Sequence, residues 1–174
     1  LYTQMGFSAL SAISKTGHCS PFDYKGDGLV VGEGAGILVL KRLEDALRDQ
    51  DHIYATIAGI GLSNDIGGNL MSPDSEGQLR AMRDAYLQAD WSPEDVDLIE
   101  CHGTGTPIGD AEEIKSLKSL WSEFSTNKQS CVIGSVKSNI GHTTMAAGVA
   151  SLIKVLLCMQ HQKLVPTLHV KQEN

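Results

Sequence analysis

The sequence predicts an α/β fold with a mostly parallel sheet flanked by helices. Short runs rich in β-branched residues alternate with segments whose apolar residues recur at helical spacing, and the connections between them are short. This alternation is typical of parallel strands joined by helices. At 174 residues, with 41% hydrophobic and 20% charged residues, the chain is long enough for one domain with its own core.

The first third of the chain is predicted to hold two helices and two strands. Residues 1–14 form a helix, 22–28 a loop, and 43–50 a short charged helix. Two β-rich runs, 29–31 and 36–40, flank a glycine cluster that we expect to be a hairpin turn with closely approaching backbones. The cluster is not a dinucleotide-binding fingerprint, because its third glycine is out of register and a strand follows where the fingerprint needs a helix.

The rest of the chain is predicted to alternate strands and helices. The helix that begins at Ser75 is amphipathic, and the helix that begins at Asp110 has Glu113 at the capping-box position. The last helix, 143–160, is apolar on most sides, so we expect it to be deeply buried. Strands are predicted at 54–62, 96–99, 130–135 and 165–170.

Two loops that each follow a predicted strand carry histidines. His102 opens the segment HGTGT, and Lys137 and His142 bracket the segment KSNIGH. Because ligands bind outside the carboxyl ends of parallel strands, these side chains would meet in one crevice if the two strands are neighbours. Two imidazoles can donate N–H groups to a developing oxyanion or shuttle a proton. A buried lysine needs a counter-charge, for which Glu113 is the best placed residue.

Other interpretations of these residues stay open. Each histidine alone could be structural, and a zinc site is a second alternative, although no third ligand has zinc-like spacing. Cys101 adjoins His102, but strand neighbours point to opposite faces, so we expect a buried, inert thiol. Cys19 lies in a surface-type loop without an activating base. With Cys131 and Cys158 these cysteines show no pairing pattern, which predicts reduced thiols.

Composition excludes several classes of partner. The net charge of −7, with no basic stripe, argues against binding nucleic acid. The first residues lack the basic start and long apolar core of a signal peptide. The longest apolar run, 146–159, is interrupted by Lys154 and is too short to span a bilayer. We therefore expect a cytoplasmic protein with no membrane partner.

Across nearly all of its length the sequence resembles the β-ketoacyl synthase family, most closely the ketosynthase domains of modular polyketide and related fatty acid synthases. The resemblance implies a thiolase-like fold, in which two similar α/β halves form a five-layer αβαβα sandwich, usually as a homodimer. Residues 1–50 would end the N-terminal half, and 51–174 would form the C-terminal half without its final strands. The matching segments, in the family's order, are FD at 22–23, GDG at 26–28, GEGAG at 32–36, HGTGT at 102–106 with GD at 109–110, KSNIGHT at 137–143, AAG at 146–148 and PTL at 166–168.

The resemblance implies an acyltransferase that performs a decarboxylative Claisen condensation. An acyl group is held as a thioester on a cysteine, and a malonyl-type extender arrives on the phosphopantetheine arm of an acyl carrier protein; no other cofactor and no metal is implied. The matched residues are His102 and His142 for the catalytic histidines, Lys137 for the lysine that orients them, Glu113 and Asp110 for the supporting acidic network, and Thr104 and Thr106 for the hydroxyls that bind the pantetheine arm.

The nucleophile is the main departure from the family. It lies in a separate motif, and none of the four cysteines stands in such a motif, so we expect this chain to be inactive alone and to work with the remainder of a ketosynthase. Two alternatives remain. One is a non-condensing paralogue that resembles a chain-length factor. The other is a structural or docking segment of a megasynthase, with a carrier-protein patch around Arg80 and Arg83.

Overall fold

The structure is a computed structural model that describes residues 2–67, 73–124 and 131–172. The predicted element ends at Leu1 and Ser130 lie outside the described residues. The strands are β1 (Leu98–Glu100) and β2 (Val132–Gly134), and short 3-10 turns cover Pro93–Asp95 and Thr144–Ala146. The helices are α1 (Tyr2–Ala9), α2 (Leu43–Arg48), α3 (Ser75–Ala89), α4 (Pro107–Phe124), α5 (Lys137–Ile140) and α6 (Ala147–His161).

The two strands lie side by side and run parallel. Leu98 is opposite Val132 and Glu100 is opposite Gly134, so both strands end at the same edge. Cys101 N–H continues the ladder by donating to the Gly134 carbonyl at 2.7 Å. The two strands are therefore parallel neighbours, the condition under which the sequence predicts that the loops after them meet.

The wider sheet predicted from the sequence is not present in the described residues. The runs 36–40, 54–62 and 165–170 form no strand there, because no neighbouring strand satisfies their backbone groups. Ile37 and Val39 are accordingly 89% and 91% exposed. The strand prediction for these three runs is therefore wrong for the chain on its own.

The glycine cluster approaches another backbone closely, but it is not a hairpin. The Gly32 N–H donates to the His142 carbonyl at 3.0 Å, and the His142 N–H donates to the Val30 carbonyl at 2.6 Å. A Cβ atom on Gly32 would lie 2.2 Å from the Ile140 carbonyl oxygen. The cluster thus supports the loop that carries His142 instead of turning back on itself.

Helices α3 and α4 pack against each other and cover the strand region. The Asp74 side chain caps α3 by accepting the Glu76 N–H at 3.0 Å. Tyr86 of α3 and Trp121 of α4 meet edge to face at 6.4 Å between ring centroids. The core beneath them contains Phe22, Cys101 and Leu117, with Met82, Ile99, Ile114 and Trp121 packed around it. This packing fixes α4, which carries the acidic residues of the site.

Helix α6 differs from its prediction in start and in burial. It begins at Ala147 instead of residue 143, and Leu152, Leu157 and Met159 are about half exposed, so the predicted deep burial is wrong. By length and composition alone, one segment of the described residues, Thr144–His161, could cross a membrane, with mean hydropathy 1.3. Its Lys154 lies in a buried ion pair, an arrangement typical of a core helix.

Candidate active site

The ends of β1 and β2 bring His102, Lys137 and His142 together, as the sequence predicts. The centroids of the two imidazole rings are 5.3 Å apart, with the ring planes nearly perpendicular at 83°. Lys137 is 2% exposed, and its Nζ donates to the His102 carbonyl at 2.6 Å. The three side chains thus form one cluster at the strand ends.

Glu113 is not the ion-pair partner of Lys137 that the sequence predicts. Its carboxylate accepts the main-chain N–H groups of His102 and Gly103, at 2.6 and 2.8 Å, and no ion pair joins it to Lys137, although both side chains are described. Glu113 is the seventh residue of α4, and both of its carboxylate oxygens are taken up by the main chain of the loop after β1. Burial raises the pKa of Glu113, and the two N–H donors oppose that rise.

Asp110 also holds the loop, but from inside the helix. Because α4 begins at Pro107, a position that favours proline, Asp110 lies in the first turn and is not the N-cap. Its carboxylate accepts three main-chain N–H groups, from Thr104 and Gly105 at 3.0 and 3.2 Å and from Phe22 at 2.8 Å. Burial raises the pKa of Asp110 against these donors.

Gly103 lets the loop turn between the two acidic residues. Its φ of +40° lies in the left-handed region, and a Cβ atom there would lie 2.7 Å from the Ser135 Cβ. The Ser135 hydroxyl donates to the Gly103 carbonyl at 2.9 Å. The loop after β1 is therefore fastened to the end of β2 as well as to α4.

Both histidines are biased toward the neutral form. Desolvation and the Lys137 ammonium lower the pKa of His142. The same causes, joined by His142, lower the pKa of His102 to about 4, although His102 as a whole residue is exposed. The macrodipole of α6 is not among these causes, because that helix begins five residues after His142.

The tautomer of His142 follows from a main-chain contact. The Thr144 N–H donates to His142 Nδ1 at 3.1 Å, so Nδ1 must carry a lone pair. In a neutral ring the proton then lies on Nε2. His142 can therefore present an Nε2–H donor to a ligand.

Thr104 and Thr106 place two hydroxyls next to each other. Their Oγ1 atoms are 2.8 Å apart; Thr104 is buried and Thr106 is half-buried. Gly109 leaves room for this pair, because a Cβ there would lie 2.6 Å from the Thr106 Oγ1. Hydroxyls in such a pair can donate one proton onward to a ligand.

The cysteines nearest the site lack the features of a nucleophile. Cys101 is buried, and its Sγ contacts the Ile99 carbonyl at 3.8 Å; burial and the nearby Glu113 raise the pKa of its thiol. Cys19 is 4% exposed, so the predicted surface position is wrong, because its loop folds under Thr104. Burial and Asp110 raise the pKa of Cys19 to about 11.

An ion pair beside the site was not predicted from the sequence. Glu100 Oε2 and Lys154 Nζ are 2.6 Å apart, and the two side chains are 5% and 9% exposed. A lysine within an otherwise apolar helix was the signal that could have revealed it, because such a charge needs a partner. Within the described residues no three His, Cys, Asp or Glu side chains are grouped to hold a metal ion.

A groove of about 620 Å³ runs along α6. Its walls are mostly apolar and include Gly34, Ala35, Thr143, Val149, Ile153 and Leu157. The Thr143 hydroxyl is buried and has no hydrogen-bond partner among the described residues. The groove is therefore a mostly apolar surface, and Val136 and Thr143 in its wall are the chain neighbours of Lys137 and His142.

The arginines considered for carrier-protein docking are both paired. Arg80 forms an ion pair with Glu76 at 3.2 Å and donates to the Asn64 carbonyl, while Arg83 pairs with Glu123. The two arginine side chains are at least 40% exposed, so the pairs are surface contacts. Since each positive charge has an acidic neighbour, Arg80 and Arg83 do not form a positive patch by themselves.

Comparison with family models gives two adjacent matches. Residues 54–171 match the model described as "Beta-ketoacyl synthase, C-terminal domain", and residues 2–46 match "Beta-ketoacyl synthase, N-terminal domain". Curated relatives include polyketide synthase PksL of Bacillus subtilis, 47% identical over 98% of this chain. Another relative is a component of the phenolphthiocerol/phthiocerol polyketide synthase of Mycobacterium tuberculosis, 44% identical over 97% of this chain.

Solved structures match the chain over nearly its whole length. The ketosynthase from module 6 of the bacillaene synthase of Bacillus subtilis is 46% identical over 99% of this chain, with a TM-score of 0.95. PfaC, titled as a keto synthase-chain length factor, is 44% identical over 99% of it, with a TM-score of 0.93. The chain spans 4% and 9% of the two curated relatives and 32% and 18% of these two structures. These matches confirm the thiolase-like α/β fold.

Proposed function

Because the chain belongs to the β-ketoacyl synthase family, we propose that it forms part of a condensing ketosynthase of a polyketide synthase. The reaction joins an acyl thioester to a malonyl-type extender by decarboxylative Claisen condensation. The observation that carries this proposal is the cluster of two neutral imidazoles, 5.3 Å apart, beside the buried ammonium of Lys137.

The first chemical step is decarboxylation of the extender. The bond between its carboxylate carbon and its α-carbon breaks, carbon dioxide leaves, and the electron pair moves into an enolate whose oxygen gains negative charge. His142 supports this step because its Nε2–H is held as a donor by the Thr144 contact at Nδ1. A neutral imidazole donates to the enolate without forming a salt bridge to the carboxylate that must leave.

Lys137 and His102 complete the stabilisation of the enolate. The Lys137 ammonium is enclosed by protein, where a positive charge acts on a developing negative charge more strongly than it would in water. Its hydrogen bond to the His102 carbonyl also fixes the main chain that carries the second imidazole. We assign His102 and His142 as donors, Lys137 as the cation that orients them, and Glu113 and Asp110 as supports of the loop.

In the second step the enolate carbon attacks the acyl thioester. The new carbon–carbon bond forms at the acyl carbonyl, and the thiolate of the acylated cysteine leaves with the electron pair. Cys19 and Cys101 are both buried with raised pKa values, so neither is suited to hold the acyl group. The nucleophile therefore comes from another part of the ketosynthase, and this chain alone is inactive.

The extender is carried on the phosphopantetheine arm of an acyl carrier protein. We assign the paired hydroxyls of Thr104 and Thr106 to that arm, because they lie on the same loop as His102 and can hydrogen-bond its amide groups. The arm belongs to the substrate, and the reaction requires no other cofactor.

The remainder of the ketosynthase packs on the apolar surfaces that this chain leaves uncovered. The runs 36–40 and 54–62 are rich in β-branched residues and largely exposed, so they would gain strand partners there. In this proposal residues 1–50 end the N-terminal half, 51–174 belong to the C-terminal half, and the complete enzyme is a cytoplasmic homodimer.

A second candidate is a non-condensing partner similar to a chain-length factor. It is favoured by one observation, the similarity to PfaC, a keto synthase-chain length factor. The function of such a partner would not require His102, Lys137 and His142 to form a cluster. The docking-segment alternative has less support, because Arg80 and Arg83 are paired with acidic residues.

The test uses the intact parent protein, acylated with a simple acyl thioester and then mixed with malonyl carrier protein. A condensing enzyme releases carbon dioxide and forms a β-ketoacyl carrier protein in equal amounts. A parent that binds malonyl carrier protein but releases no carbon dioxide contradicts the proposal and favours the non-condensing partner.

A further inference from the structure

Glu100 links three elements through one buried carboxylate. It is the last residue of β1, and its Oε2 accepts from Lys154 Nζ of α6 at 2.6 Å. Its Oε1 accepts the Val136 N–H at 2.6 Å, and the Ser151 hydroxyl lies 3.4 Å from the same oxygen. The carboxylate thus connects β1, the residue before α5, and α6.

Together with the chain itself, these contacts form a closed loop of interactions that includes Lys137. Val136 directly precedes Lys137, the Lys137 Nζ donates to the His102 carbonyl at 2.6 Å, and His102 lies two residues beyond Glu100. Both loops are therefore tied to each other twice, once through Glu100 and once through Lys137. We propose that Glu100, held by Lys154, is a positioning residue that sets the Lys137 ammonium against the His102 carbonyl. This inference rests on the proposed function.

Stability alone does not account for the pair. Removing two charges from water costs about as much as their attraction returns, and apolar residues of the same volume often serve as well. The Glu100 carboxylate, however, offers two acceptor oxygens in fixed directions, one for a main-chain N–H and one for a cation. An apolar replacement could fill the space but could not hold Val136 and, with it, Lys137.

The charge of Glu100 also acts on Lys137. Burial lowers the pKa of Lys137, while Glu113 on α4, Glu100 on β1 and the thiols of Cys19 and Cys101 oppose that fall. The two histidines face the same amine, and the positive charge of Lys137 lowers their pKa values. Removing the Glu100 charge should thus lower the pKa of Lys137 further, and removing the Lys154 charge should raise it.

Three variants of the intact parent separate positioning from stability. In Glu100→Gln the amide has a single acceptor oxygen, which cannot serve both the Val136 N–H and the Lys154 ammonium. Lys154→Met leaves the carboxylate but removes its cation. The matched control is Glu123→Gln, which removes the same charge from a surface ion pair with Arg83. Steady-state decarboxylation of malonyl carrier protein, its pH profile and the melting temperature are measured for each.

We expect Glu100→Gln to lower kcat about 10- to 100-fold, as small misplacements of catalytic groups do, with KM unchanged. The alkaline limb of the pH profile of kcat, which reports loss of the Lys137 proton, should move to lower pH in Glu100→Gln and to higher pH in Lys154→Met. The control Glu123→Gln should leave both kcat and this limb unchanged. A wild-type kcat and limb in Glu100→Gln, or shifts of the two limbs in the same direction, would overturn the inference.

The double variant E100Q/K154M covers the case in which a single variant does not fold, because it leaves no unpaired buried charge. Its alkaline limb should lie below that of the wild type, since the nearer negative charge is gone; an unchanged limb overturns the inference. The wild-type parent distinguishes failure of the proposed function from failure of this inference. If the wild type releases no carbon dioxide, the proposed function is wrong, and so is this inference. If the wild type is active and Glu100→Gln has the same kcat and pH profile, only the inference is wrong.

Discussion

The histidine loops and the runs 36–40 and 54–62 are held in contrasting ways within the same chain. In the loop after β1, Glu113 and Asp110 together accept four main-chain N–H groups, and Asp110 also accepts that of Phe22. In the two apolar runs the described backbone has no strand partner, and side chains such as Val39 and Leu62 are 91% and 84% exposed. The site is therefore assembled from contacts inside the chain, whereas these apolar runs depend on surfaces that the chain itself does not supply.

The difference follows from how far apart the interacting residues lie in sequence. Glu113 is eleven residues from His102, and Asp110 is six from Thr104, so the start of one helix organises the loop before it. A strand, by contrast, needs a neighbour along its whole length, and parallel neighbours are distant in sequence. The geometry of the site thus depends on contacts within this chain, whereas the burial of the runs 36–40 and 54–62 depends on the remainder of the ketosynthase.

The largest expected contrast concerns the acyl-enzyme. When the intact parent is incubated with a radiolabelled acyl thioester, we expect stoichiometric, thiol-reversible label on a peptide outside residues 1–174 and none within them. The reason is that burial raises the pKa of both Cys19 and Cys101 and hides their sulfur atoms. Peptide mapping measures this, and label on Cys19 or Cys101 would show that our view of these thiols is wrong.

Removing one donor from the site should have the next largest effect. We expect His142→Ala in the intact parent to reduce decarboxylation of malonyl carrier protein by about 10²–10³-fold, the usual loss for one oxyanion donor. His52→Ala is the control, because that ring lies outside both loops, packed edge-on against Tyr54. A rate within a few-fold of wild type for His142→Ala would remove His142 from the mechanism.

Changing an uncovered run should affect stability instead of chemistry. In the intact parent, Val39→Gln should lower the free energy of unfolding by about 3 kcal/mol, because a polar amide would be buried against the remainder of the ketosynthase. Leu87→Gln on α3, similarly exposed here at 83%, should change it by less than about 0.5 kcal/mol. Equal effects in denaturant titrations would mean that the run 36–40 is not covered in the parent.

The sequence predicts the site better than it predicts the sheet, and particular residues show why. His102, Lys137 and His142 each follow a strand whose pattern is local, so their meeting needs only the β1–β2 pairing that the structure confirms. The patterns of 36–40 and 54–62 predict strands equally strongly, but a pattern carries no information on whether a partner is present. Sequence reasoning therefore recognised a strand-forming preference that only a neighbouring strand can satisfy.

The side-chain contacts within the site were harder to predict than the residues that form it. Charge alone suggested that Glu113 would pair with Lys137, yet the main-chain N–H groups of His102 and Gly103, in the loop after β1, occupy its oxygens. Glu100, which does form an ion pair with a lysine, is the last residue of the short strand β1 and belongs to no recognisable motif. Which acidic residue reaches a lysine depends on where the helix begins, and α4 begins at Pro107, three residues before the predicted Asp110.

A smaller effect is expected on the ionisation of the histidines. Lys137→Gln should raise the pKa values of His102 and His142 toward the usual value of about 6.5, because a nearby positive charge that disfavours imidazolium is gone. In the wild type the neutral rings persist below that pH, so the acid limb of the decarboxylation profile should move to higher pH in the variant. Lys115→Gln, which removes a surface partner of Glu112, is the control. Histidine titration by NMR measures the shift, and a lowered or unchanged pKa contradicts it.

The smallest expected effect is that of Cys101→Ala in the intact parent. The thiol lies beside His102 in sequence, but it is 4% exposed and packs with Phe22 and Leu117 in the core. Because it contacts no reacting group, its removal should change the decarboxylation rate by less than about twofold. Losing a sulfur atom from a packed core should lower the free energy of unfolding by about 1 kcal/mol. A rate loss as large as that of His142→Ala, with an unchanged melting temperature, would show that the Cys101 sulfur takes part in the reaction and is not only a core residue.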